Sequence, residues 1–362
     1  MNELDPEQAK VSRREFFRKG AGAAAVGAIA TAALALPQKA EACSSCKTAI
    51  KDSPPPTPFV EVGAPLHNER VVNLDRAGAP PPVVPPPLDP MAFLTNFDYG
   101  KVTKLPDGRT MREYVIVGKD VDFEVTPGVL FPAWTYNGSI PGPTLRCTEG
   151  DLLRIHFFNA SPRDHTIHLH GVHPSNMDGA FEIVPPGGYY RYEFEAEPFG
   201  CHLYHCHMVP LRKHIARGMY GAFIIDPPGG REPAHEMVMV MHGFDTALDQ
   251  QANAFYAVNG PAFYYRDNPI VIRQNQLVRV YLVNITELDL INSMHLHGNM
   301  FKLFRTGTRL DTYEITDNVM LCQGERCILE FSYKFTGDYL FHSHQNEFAE
   351  RGWLGIFRVV AG

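Results

Sequence analysis

The sequence predicts an all-β protein built from two Greek-key β-sandwich domains, and three observations lead to that prediction. Short strand-like segments such as "REYVIVG" and "DLLRIHFFN" are separated by turn signals such as "NGSIPGP" and "VPPGG". Gly and Pro reach 30 residues each and aromatic residues make up 11% of the chain, which favours a loop-rich β protein over a helical one. The motifs of the first half also recur in the second half in the same order.

The first 42 residues are interpreted as a twin-arginine export signal that is not part of the fold. Arg13 and Arg14 precede an Ala-rich apolar run, Ala21–Leu36, and "AEA" before Cys43 offers small residues for cleavage. A membrane anchor is the alternative, but the run is short and rich in Ala and Gly. We therefore expect a mature protein in the periplasm or outside the cell, with no membrane attachment beyond export.

Composition divides the rest of the chain at two further points. Residues 43–95 contain "SPPPTP" and "APPPVVPPPLDP", and proline cannot donate to a strand ladder, so they are predicted to form a Pro-rich arm or linker. "DPPGGREP" then separates domain 1, residues 96–228, from domain 2, residues 229–362. A single large sandwich is the alternative, against which the repeat and this boundary argue. The net charge of −7 and the lack of a long basic run argue against a nucleic-acid partner.

Both halves carry the same succession of histidine motifs. "DLLRIHFFN" followed by "HLHG" matches "QLVRVYLVN" followed by "HLHG", and "CHLYHCH" matches "DYLFHSH". These motifs contain four His-x-His pairs: His168 and His170, His205 and His207, His295 and His297, and His342 and His344. On a strand, residues i and i+2 point to the same face, so each pair can aim two imidazoles at one point. Imidazole suits copper, zinc, iron and nickel, so the pairs predict a metal site without naming the metal.

A cysteine inside the second pair identifies the metal. Cys206 separates the two histidines of that pair, so its side chain points the opposite way. It combines with one histidine upstream of the first pair and with a histidine and a methionine downstream. The resulting set consists of His165, Cys206, His214 and Met219. Two histidines, a cysteine and a methionine are the ligands of a blue, electron-transfer copper, which would also keep Cys206 out of a disulfide.

Together these motifs resemble those of two-domain, laccase-like multicopper oxidases. The resemblance rests on "NGSIPGPTL", "GDLLRIHFFN" followed by "HLHG", "HCH" with its downstream His and Met, and the second "HLHG" and "HSH". It extends from Phe97 to Val360. It implies two cupredoxin-like domains and four coppers per chain. One is a type 1 copper held by the set that contains Cys206, and three form a trinuclear cluster held by the eight paired histidines.

The second half departs from the pattern at the blue-copper ligands. With allowance for a three-residue insertion in the first half, Cys206 corresponds to Ser343, His165 to Asn292, His214 to Phe348 and Met219 to Trp353. Domain 2 has therefore lost these ligands and kept its cluster histidines. The resemblance implies the subtype with a blue copper in the first domain only.

The resemblance also implies an enzyme that takes single electrons from a small reducing substrate and reduces O₂ to water. His214 would be the blue-copper ligand nearest the surface, and Cys206 would conduct electrons to the adjacent cluster histidines. Asp178, in "HPSNMDG", and Glu347, just after His344, are expected to relay protons, with ordinary loop carboxylates as the alternative. Phenols and aromatic amines are the expected substrates, and iron, manganese or a protein donor stay open.

Two other functions are weighed against the oxidase. A copper-containing nitrite reductase also has two such domains, and "MVPLRKHIARGM" resembles its loop, but that enzyme needs only three histidines at its second copper. A non-enzymatic copper-storing or electron-carrying protein would leave the cluster site structural or empty. Four coppers per chain would favour the oxidase and two the reductase, whereas oxygen uptake would separate the oxidase from a carrier.

Each domain supplies only half of the cluster histidines, so the cluster must lie between a first and a second domain. In the two-domain family that the chain resembles, three chains form a ring, and a homotrimer is therefore expected. The cluster would then join domain 1 of one chain to domain 2 of the next. The sequence alone does not exclude a cluster made within one chain.

The remaining cysteines suggest a pairing scheme. Seven cysteines minus the copper thiolate leave six, an even number for an exported chain. "QGER" is interpreted as a hairpin turn whose flanking cysteines could bridge its strands. The scheme pairs Cys322 with Cys327 and Cys147 with Cys201, and leaves Cys43 and Cys46 as a local CxxC with a redox or copper-acquiring role as the alternative.

Overall fold

The computed structural model describes residues 70–87 and 89–362, and most of their regular structure is β-strand. In this part of the chain, the first half contains the strands β1 Arg70–Val71, β2 Phe97–Asp98, β3 Lys101–Lys104, β4 Thr110–Thr126, β5 Val129–Tyr136, β6 Thr144–Thr148, β7 Leu152–Asn159, β8 His168–Leu169, β9 Glu182–Ile183, β10 Tyr189–Glu195, β11 Gly200–His205 and β12 Tyr220–Asp226. The second half contains β13 His235–Phe244, β14 Phe255–Val258, β15 Ile270–Arg273, β16 Val278–Asn284, β17 Ile291–Leu296, β18 Phe301–Arg305, β19 Glu314–Thr316, β20 Asn318–Cys322, β21 Arg326–Phe331, β22 Gly337–His342 and β23 Leu354–Val360. The α-helices are short: α1 Pro90–Phe93, α2 Leu211–Ala216, α3 Tyr264–Asp267 and α4 Asn346–Glu350.

Domain 1 is a sandwich of two sheets. Sheet 1 has the strand order β10-β7-β4-β3 with β5 paired to β4, and sheet 2 has the order β2-β6-β12-β11-β8. The alternation expected of a half-buried strand is clear along β10, where Tyr190, Tyr192 and Phe194 are buried and the charged residues between them are more exposed.

Domain 2 repeats this architecture. Sheet 3 has the order β14-β13-β16-β21-β18-β19, and sheet 4 has the order β15-β23-β22-β17-β20. Strand β16 is buried along its whole length because it lies inside sheet 3 and is covered on both faces. Apart from Arg279 and Asn284, its residues are accordingly apolar or aromatic.

An apolar core lies between each two successive sheets, so the four sheets are stacked in the order 1, 2, 3, 4. Ile155 of sheet 1 belongs to the same core as strand β6 of sheet 2. Leu203 of sheet 2 shares a second core with Val240 of sheet 3, and Leu282 of sheet 3 shares a third with Phe357 of sheet 4. The middle core is the contact between the two domains, so sheet 3 lies between sheets 2 and 4.

A charged network ties the two domains together at one edge of this contact. Arg146 of domain 1 donates to Asp226 at 2.8 Å and to Glu236 of domain 2 at 2.6 Å. Arg279 donates to the other oxygen of Glu236 at 2.9 Å and to Glu330 at 2.6 Å. Both guanidinium groups are almost fully buried, and their pairing offsets the cost of removing them from water.

The predicted all-β fold with two cupredoxin-like domains is confirmed by this architecture, and residues 228 and 229 lie between β12 and β13. The described part of the predicted arm packs on domain 1, where the amides of Val72 and Leu74 donate to the carbonyls of Ile183 and Tyr189 at 2.8 and 2.9 Å. The predicted export signal, residues 1–42, and the pair Cys43 and Cys46 lie outside the described residues. Within the described ranges, no helix has the length and apolarity needed to cross a membrane.

The predicted disulfides Cys322–Cys327 and Cys147–Cys201 are wrong, because these cysteines are all free. Cys322 ends β20 of sheet 4 while Cys327 lies on β21 of sheet 3, so "QGER" connects two sheets and is not a hairpin turn. Cys147 and Cys201 stand opposite consecutive residues of β12, whose side chains point to opposite faces. Cys147 is therefore buried between sheets 1 and 2, and Cys201 between sheets 2 and 3.

Candidate metal centre

The first group of ligand side chains lies inside domain 1, between the end of β11 and helix α2. The Nδ1 atoms of His165 and His214 are 3.2 Å apart. Sγ of Cys206 lies 3.3 Å from Nδ1 of His214 and 3.8 Å from Nδ1 of His165. His165 and Cys206 have no exposed surface, and His214 is 5% exposed. Two imidazole nitrogens and a thiol thus converge in a buried pocket, and His214 is the most exposed of the three residues.

Backbone hydrogen bonds fold the chain around this pocket. The amide of Cys206 donates to the carbonyl of Met219 at 3.0 Å, and the amide of Met219 donates to the carbonyl of His214 at 3.3 Å. Met219 is fully buried in the same core as Cys206. These bonds hold the loop after α2 against the end of β11. Met219 therefore lies beside the other three predicted ligands.

The chemistry of this donor set suits copper. Burial lowers the pKa of His165 to about 3 and that of His214 to about 4, so both imidazoles are neutral at neutral pH and offer lone pairs. Burial raises the pKa of the Cys206 thiol to about 11, while the amide of Thr166 donates to its sulfur at 3.4 Å. A cation that displaces the thiol proton would satisfy all three buried donor atoms. With a methionine beside them, the residues fit a blue copper.

A second group of imidazoles lies at the edge of sheet 2, where β8 pairs with β11. His168 and His205 are register partners across the two strands. The Nε2 atoms of His170 and His205 are 3.3 Å apart, and the ring centroids of His168 and His207 are 5.2 Å apart. Burial lowers the pKa of His170 to about 2 and that of His205 to about 3, so these rings are neutral. We call these four residues half-site 1.

Domain 2 repeats the group on sheet 4, where β17 pairs with β22. His295 and His342 are register partners, and the Nε2 atoms of His297 and His342 are 2.9 Å apart. The ring centroids of His295 and His344 are 5.2 Å apart. His297 and His344 are exposed, so this group, half-site 2, is open to solvent.

Backbone carbonyls orient two imidazoles in each half-site. The four Nδ1-to-carbonyl bonds are His168 to Asp178 (2.8 Å), His205 to Cys206 (3.0 Å), His295 to Asp317 (2.8 Å) and His342 to Ser343 (2.6 Å). Because a carbonyl oxygen can only accept, Nδ1 carries the proton and Nε2 keeps its lone pair for a metal. Equivalent positions thus present equivalent ligand atoms, and both half-sites fit a cluster of imidazole-bound metals.

The two half-sites lie on sheets 2 and 4, and sheet 3 separates them. Packed sheets are about 10 Å apart, so two intervals place the half-sites roughly 20 Å from one another within a chain. Half-site 1 and half-site 2 of a single chain are thus two separate groups of ligands.

The place in domain 2 that corresponds to the pocket of His165, Cys206, His214 and Met219 keeps the backbone arrangement without these side chains. The amide of Ser343 donates to the carbonyl of Trp353 at 3.3 Å, and the amide of Trp353 donates to the carbonyl of Phe348 at 2.9 Å. These two bonds repeat the two that surround Cys206. Oδ1 of Asn292 accepts from Ser343 Oγ and Trp353 Nε1, each at 3.1 Å. Hydrogen-bonded side chains and an indole stand where domain 1 has His165, Cys206, His214 and Met219.

The two predicted proton-relay residues have different surroundings. Oδ1 of Asp178 lies 3.4 Å from Nδ1 of His168 and 3.8 Å from Nε2 of His173. Glu347 lies on α4, is exposed, and forms an ion pair with Arg351 at 2.8 Å. Asp178 therefore contacts half-site 1, whereas the carboxylate of Glu347 is engaged on the helix surface.

Three residues of the site were not singled out from the sequence. The ring of Trp134 lies 4.9 Å from that of His214, centroid to centroid. The hydroxyl of Thr166 accepts from the amide of His207 at 2.9 Å, and the hydroxyl of Ser293 accepts from the amide of His344 at 2.8 Å. A signal for the two hydroxyls was present, because each lies two residues before the "HLHG" motif of its half.

Comparisons with known proteins agree with this geometry. Residues 119–230 and 232–362 each match a family model described as multicopper oxidase. A crystal structure of a multicopper oxidase is 52% identical, with a TM-score of 0.74, and the match covers 75% of this chain and 97% of that one.

Copper nitrite reductases are similar as well, at lower identity. The copper-containing nitrite reductase of Neisseria meningitidis serogroup A is 26% identical over 254 residues, which are 64% of this chain and 65% of that protein. The chain thus spans just under two thirds of this relative's length. The copper nitrite reductase of Nitrosomonas europaea, 24% identical with a TM-score of 0.64 over 69% of this chain and 94% of that one, shares the fold. Since both halves match its family models and the 52% identical structure is a member, the chain belongs to the multicopper oxidase family, whose members are copper-dependent oxidoreductases.

Proposed function

We propose that the protein is a laccase-like oxidase, which couples one-electron oxidation of phenols or aromatic amines to the four-electron reduction of O₂ to water. The observation that supports it best is the equivalence of the two half-sites. The Nε2 contact of His297 with His342 repeats that of His170 with His205, at 2.9 and 3.3 Å. A second copper of the nitrite reductase type needs three histidines and would leave most of these ligands without a metal.

Four coppers per chain belong to this proposal. Copper at the His165, Cys206, His214 and Met219 set would accept single electrons, and copper at the eight paired histidines would deliver four of them to O₂. The chain itself connects the two kinds of site, because Cys206 is bonded through the backbone to His205 and His207. Four phenols lose four electrons and four protons, and one O₂ takes up both to give two waters.

Protons must reach the site where O₂ is reduced. Asp178 has a carboxylate oxygen 3.4 Å from Nδ1 of His168, and the same nitrogen donates to the Asp178 carbonyl. A carboxylate held this close to half-site 1 can take a proton from solvent and release it beside the imidazoles. We therefore assign the relay to Asp178 first. Glu347 is the second candidate, and it would have to exchange its ion pair with Arg351 for this role.

The proposal includes a ring of three chains. The separation of the half-sites by sheet 3 supports it, because the eight histidines of one chain cannot then surround one cluster. Half-site 2 also lies among exposed apolar side chains, Ile291, Met320 and Leu340, on the strands of sheet 4 that carry or flank it. Such a surface suits contact with half-site 1 of a neighbouring copy, and repetition of a head-to-tail contact closes a ring. Export to the periplasm or the outside of the cell completes the proposal and rests on residues 1–42 alone.

Copper counting and oxygen uptake test the reaction. The purified protein should hold four coppers per chain and consume one O₂ for every four phenols oxidised, without releasing peroxide. Two coppers per chain together with nitrite-dependent turnover would favour the reductase, which the similarity to nitrite reductases makes the second candidate. Bound copper without any turnover would indicate a carrier.

A mixing experiment tests the ring. One variant carries His205→Ala with His207→Ala, and the other carries His342→Ala with His344→Ala. Each should be inactive alone, since every interface contains one damaged half-site. Mixed rings should recover part of the activity, because the intact halves of the two variants meet at some interfaces. A fully active monomer, or verified mixed trimers without recovery, would contradict the ring.

A further inference from the structure

Arg217 carries a positive charge that the described residues leave unpaired. Among residues 70–87 and 89–362, its side chain has no hydrogen-bond acceptor and no carboxylate within ion-pair distance, and its Nε is buried. Aromatic contacts hold it in place, with Cζ 5.4 Å from the ring centroid of Phe131 and 5.0 Å from that of Trp134. A guanidinium fixed in this way keeps its donors available for an anion from solution.

This guanidinium lines a cavity of about 270 Å³ on the surface of domain 1. The cavity walls also include Trp134, Arg163, Asp120 and Asp122. Arg163 forms an ion pair with Asp120, so these two charges offset one another. Asp122 also lines the cavity and is exposed, so water screens its charge. Arg217 is therefore the cation of this cavity that forms no ion pair with the described residues.

The same cavity adjoins the blue-copper pocket through one side chain. Trp134 forms a wall of the cavity, and its ring centroid lies 4.9 Å from that of His214 and 5.9 Å from that of His165. Lys213 of α2 places its ammonium 5.6 Å from the Trp134 ring and adds positive charge nearby. An aromatic molecule in the cavity would be separated from the ligand His214 by a single indole.

We propose that this cavity binds small aromatic carboxylates, with the carboxylate on Arg217 and the ring against Trp134. A planar guanidinium matches a carboxylate with two parallel hydrogen bonds, and the indole offers a flat apolar surface. The cavity is smaller than the roughly 300–1,000 Å³ typical of drug-sized ligands, which favours a single ring. That such a molecule is an electron donor rests on the proposed oxidase function, whereas its binding does not.

Redox-inert probes separate binding from turnover. We would measure the Kd of p-methoxybenzoate and of the neutral p-methoxybenzamide for the holoenzyme by calorimetry. The wild type should prefer the anion, and Arg217→Gln should reduce that preference roughly tenfold, since a charge-assisted hydrogen bond is lost. Arg217→Lys, which keeps the charge without the planar fork, should retain part of the preference and serves if the Gln variant folds poorly.

Arg212→Gln is the matched control. Arg212 lies in the first turn of α2, which Arg217 directly follows. Its side chain donates to the carbonyl of Gln250 at 2.7 Å and lies outside the cavity walls. The Arg212→Gln substitution should leave the ratio of the Kd of p-methoxybenzoate to the Kd of p-methoxybenzamide unchanged. Equal anion binding by Arg212→Gln and Arg217→Gln, in proteins that keep the blue colour, would overturn the inference.

Turnover gives the second readout. The KM for vanillate should rise in Arg217→Gln by the same factor as the Kd of the inert anion, relative to the KM for neutral guaiacol. If the anion binds through Arg217 but no donor supports oxygen uptake, the cavity assignment stands and the oxidase proposal fails. If both donors are oxidised but the ratio of the vanillate KM to the guaiacol KM is the same in the wild type and in Arg217→Gln, the oxidase proposal stands and the cavity assignment fails.

Discussion

Replacing Asn292 by leucine should destabilise the protein through domain 2 while leaving the blue-copper site intact. Asn292 is the residue that stands where domain 1 has His165, and it has no exposed surface. Its Oδ1 accepts from the Ser293 amide at 2.8 Å and from Trp353 Nε1 and Ser343 Oγ, each at 3.1 Å. Its Nδ2 donates to Thr286 Oγ1 at 2.9 Å. Leucine has a similar size but can make none of these bonds.

The loss in the free energy of unfolding can be estimated from the groups that lose their hydrogen bond to Asn292. Ser343 keeps an acceptor, because its hydroxyl also lies 2.8 Å from Oε1 of Gln345. Trp353 Nε1, Thr286 Oγ1 and the Ser293 amide all lose their buried hydrogen bond to Asn292. Each unsatisfied buried group costs about 1–3 kcal/mol, which gives about 3–9 kcal/mol for the three. The apolar surface of leucine returns about 1 kcal/mol, so we expect a net loss near 5 kcal/mol.

Urea unfolding of the copper-free protein measures this loss. Protein concentration is held fixed, because assembly changes apparent stability. Asn299→Leu is the control, since Asn299 lies in a more accessible loop of domain 2 and donates to the Ser332 carbonyl at 3.1 Å. It should cost less than about 1 kcal/mol. Equal losses in the two variants, or loss of blue colour in copper-loaded Asn292→Leu, would refute the reasoning.

Three further predictions concern the copper thiolate, the free thiols and acid stability. Cys206→Ser should abolish the blue colour and donor oxidation while the cluster histidines still bind copper, and a variant that stays intensely blue would contradict the assignment. Thiol titration of the denatured, copper-free protein should find at least five thiols, whereas a single thiol would support the pairing scheme rejected above. Burial lowers the pKa of His202 from 6.5 to about 4, so the stability due to its neutral form is complete above pH 6.5 and is lost as the pH falls towards 4. His202→Gln, whose amide can still donate to the Pro198 carbonyl, should lose about 2 kcal/mol less than the wild type between pH 8 and pH 5 in urea unfolding, and parallel losses would contradict this.

Much of the candidate site could be predicted from the sequence because it depends on local geometry. The alternation of a strand explains why His205 and His207 point one way and Cys206 the other. The i, i+2 spacing also predicted that the two imidazoles of each pair lie together, and the ring centroids of His168 and His170 are 5.1 Å apart while those of His295 and His297 are 5.0 Å apart. These inferences needed no knowledge of which sheet packs on which.

Other features depend on long-range packing and could not be predicted in this way. Cys147 and Cys201 lie two strands apart in one sheet, and only the register against β12 reveals that they face different cores. The position of sheet 3 between the half-sites is likewise a matter of layer order. Nothing in the sequence distinguishes Arg217 from the other basic residues. Its position beside Trp134 without an ion pair among the described residues is evident only from the structure.

The two halves share the same backbone hydrogen bonds around Cys206 and Ser343, although the first half contains three more residues at this point. Cys206 is eight residues before His214, whereas Ser343 is five residues before Phe348. Beyond this point the spacing is the same, since Met219 and Trp353 each follow five residues later and close the same two amide-to-carbonyl bonds. Two of the three extra residues lie before α2, because Cys206 precedes the first residue of α2 by five positions and Ser343 precedes the first residue of α4 by three. The third lies within α2, where His214 is the fourth residue and Phe348 is the third residue of α4. In addition, Thr166 and Ser293 hold His207 and His344 by equivalent hydroxyl bonds. The paired histidines of both domains are thus positioned by the shared backbone and these hydroxyls, so half-site 2 does not depend on a domain 2 counterpart of His165, Cys206, His214 and Met219.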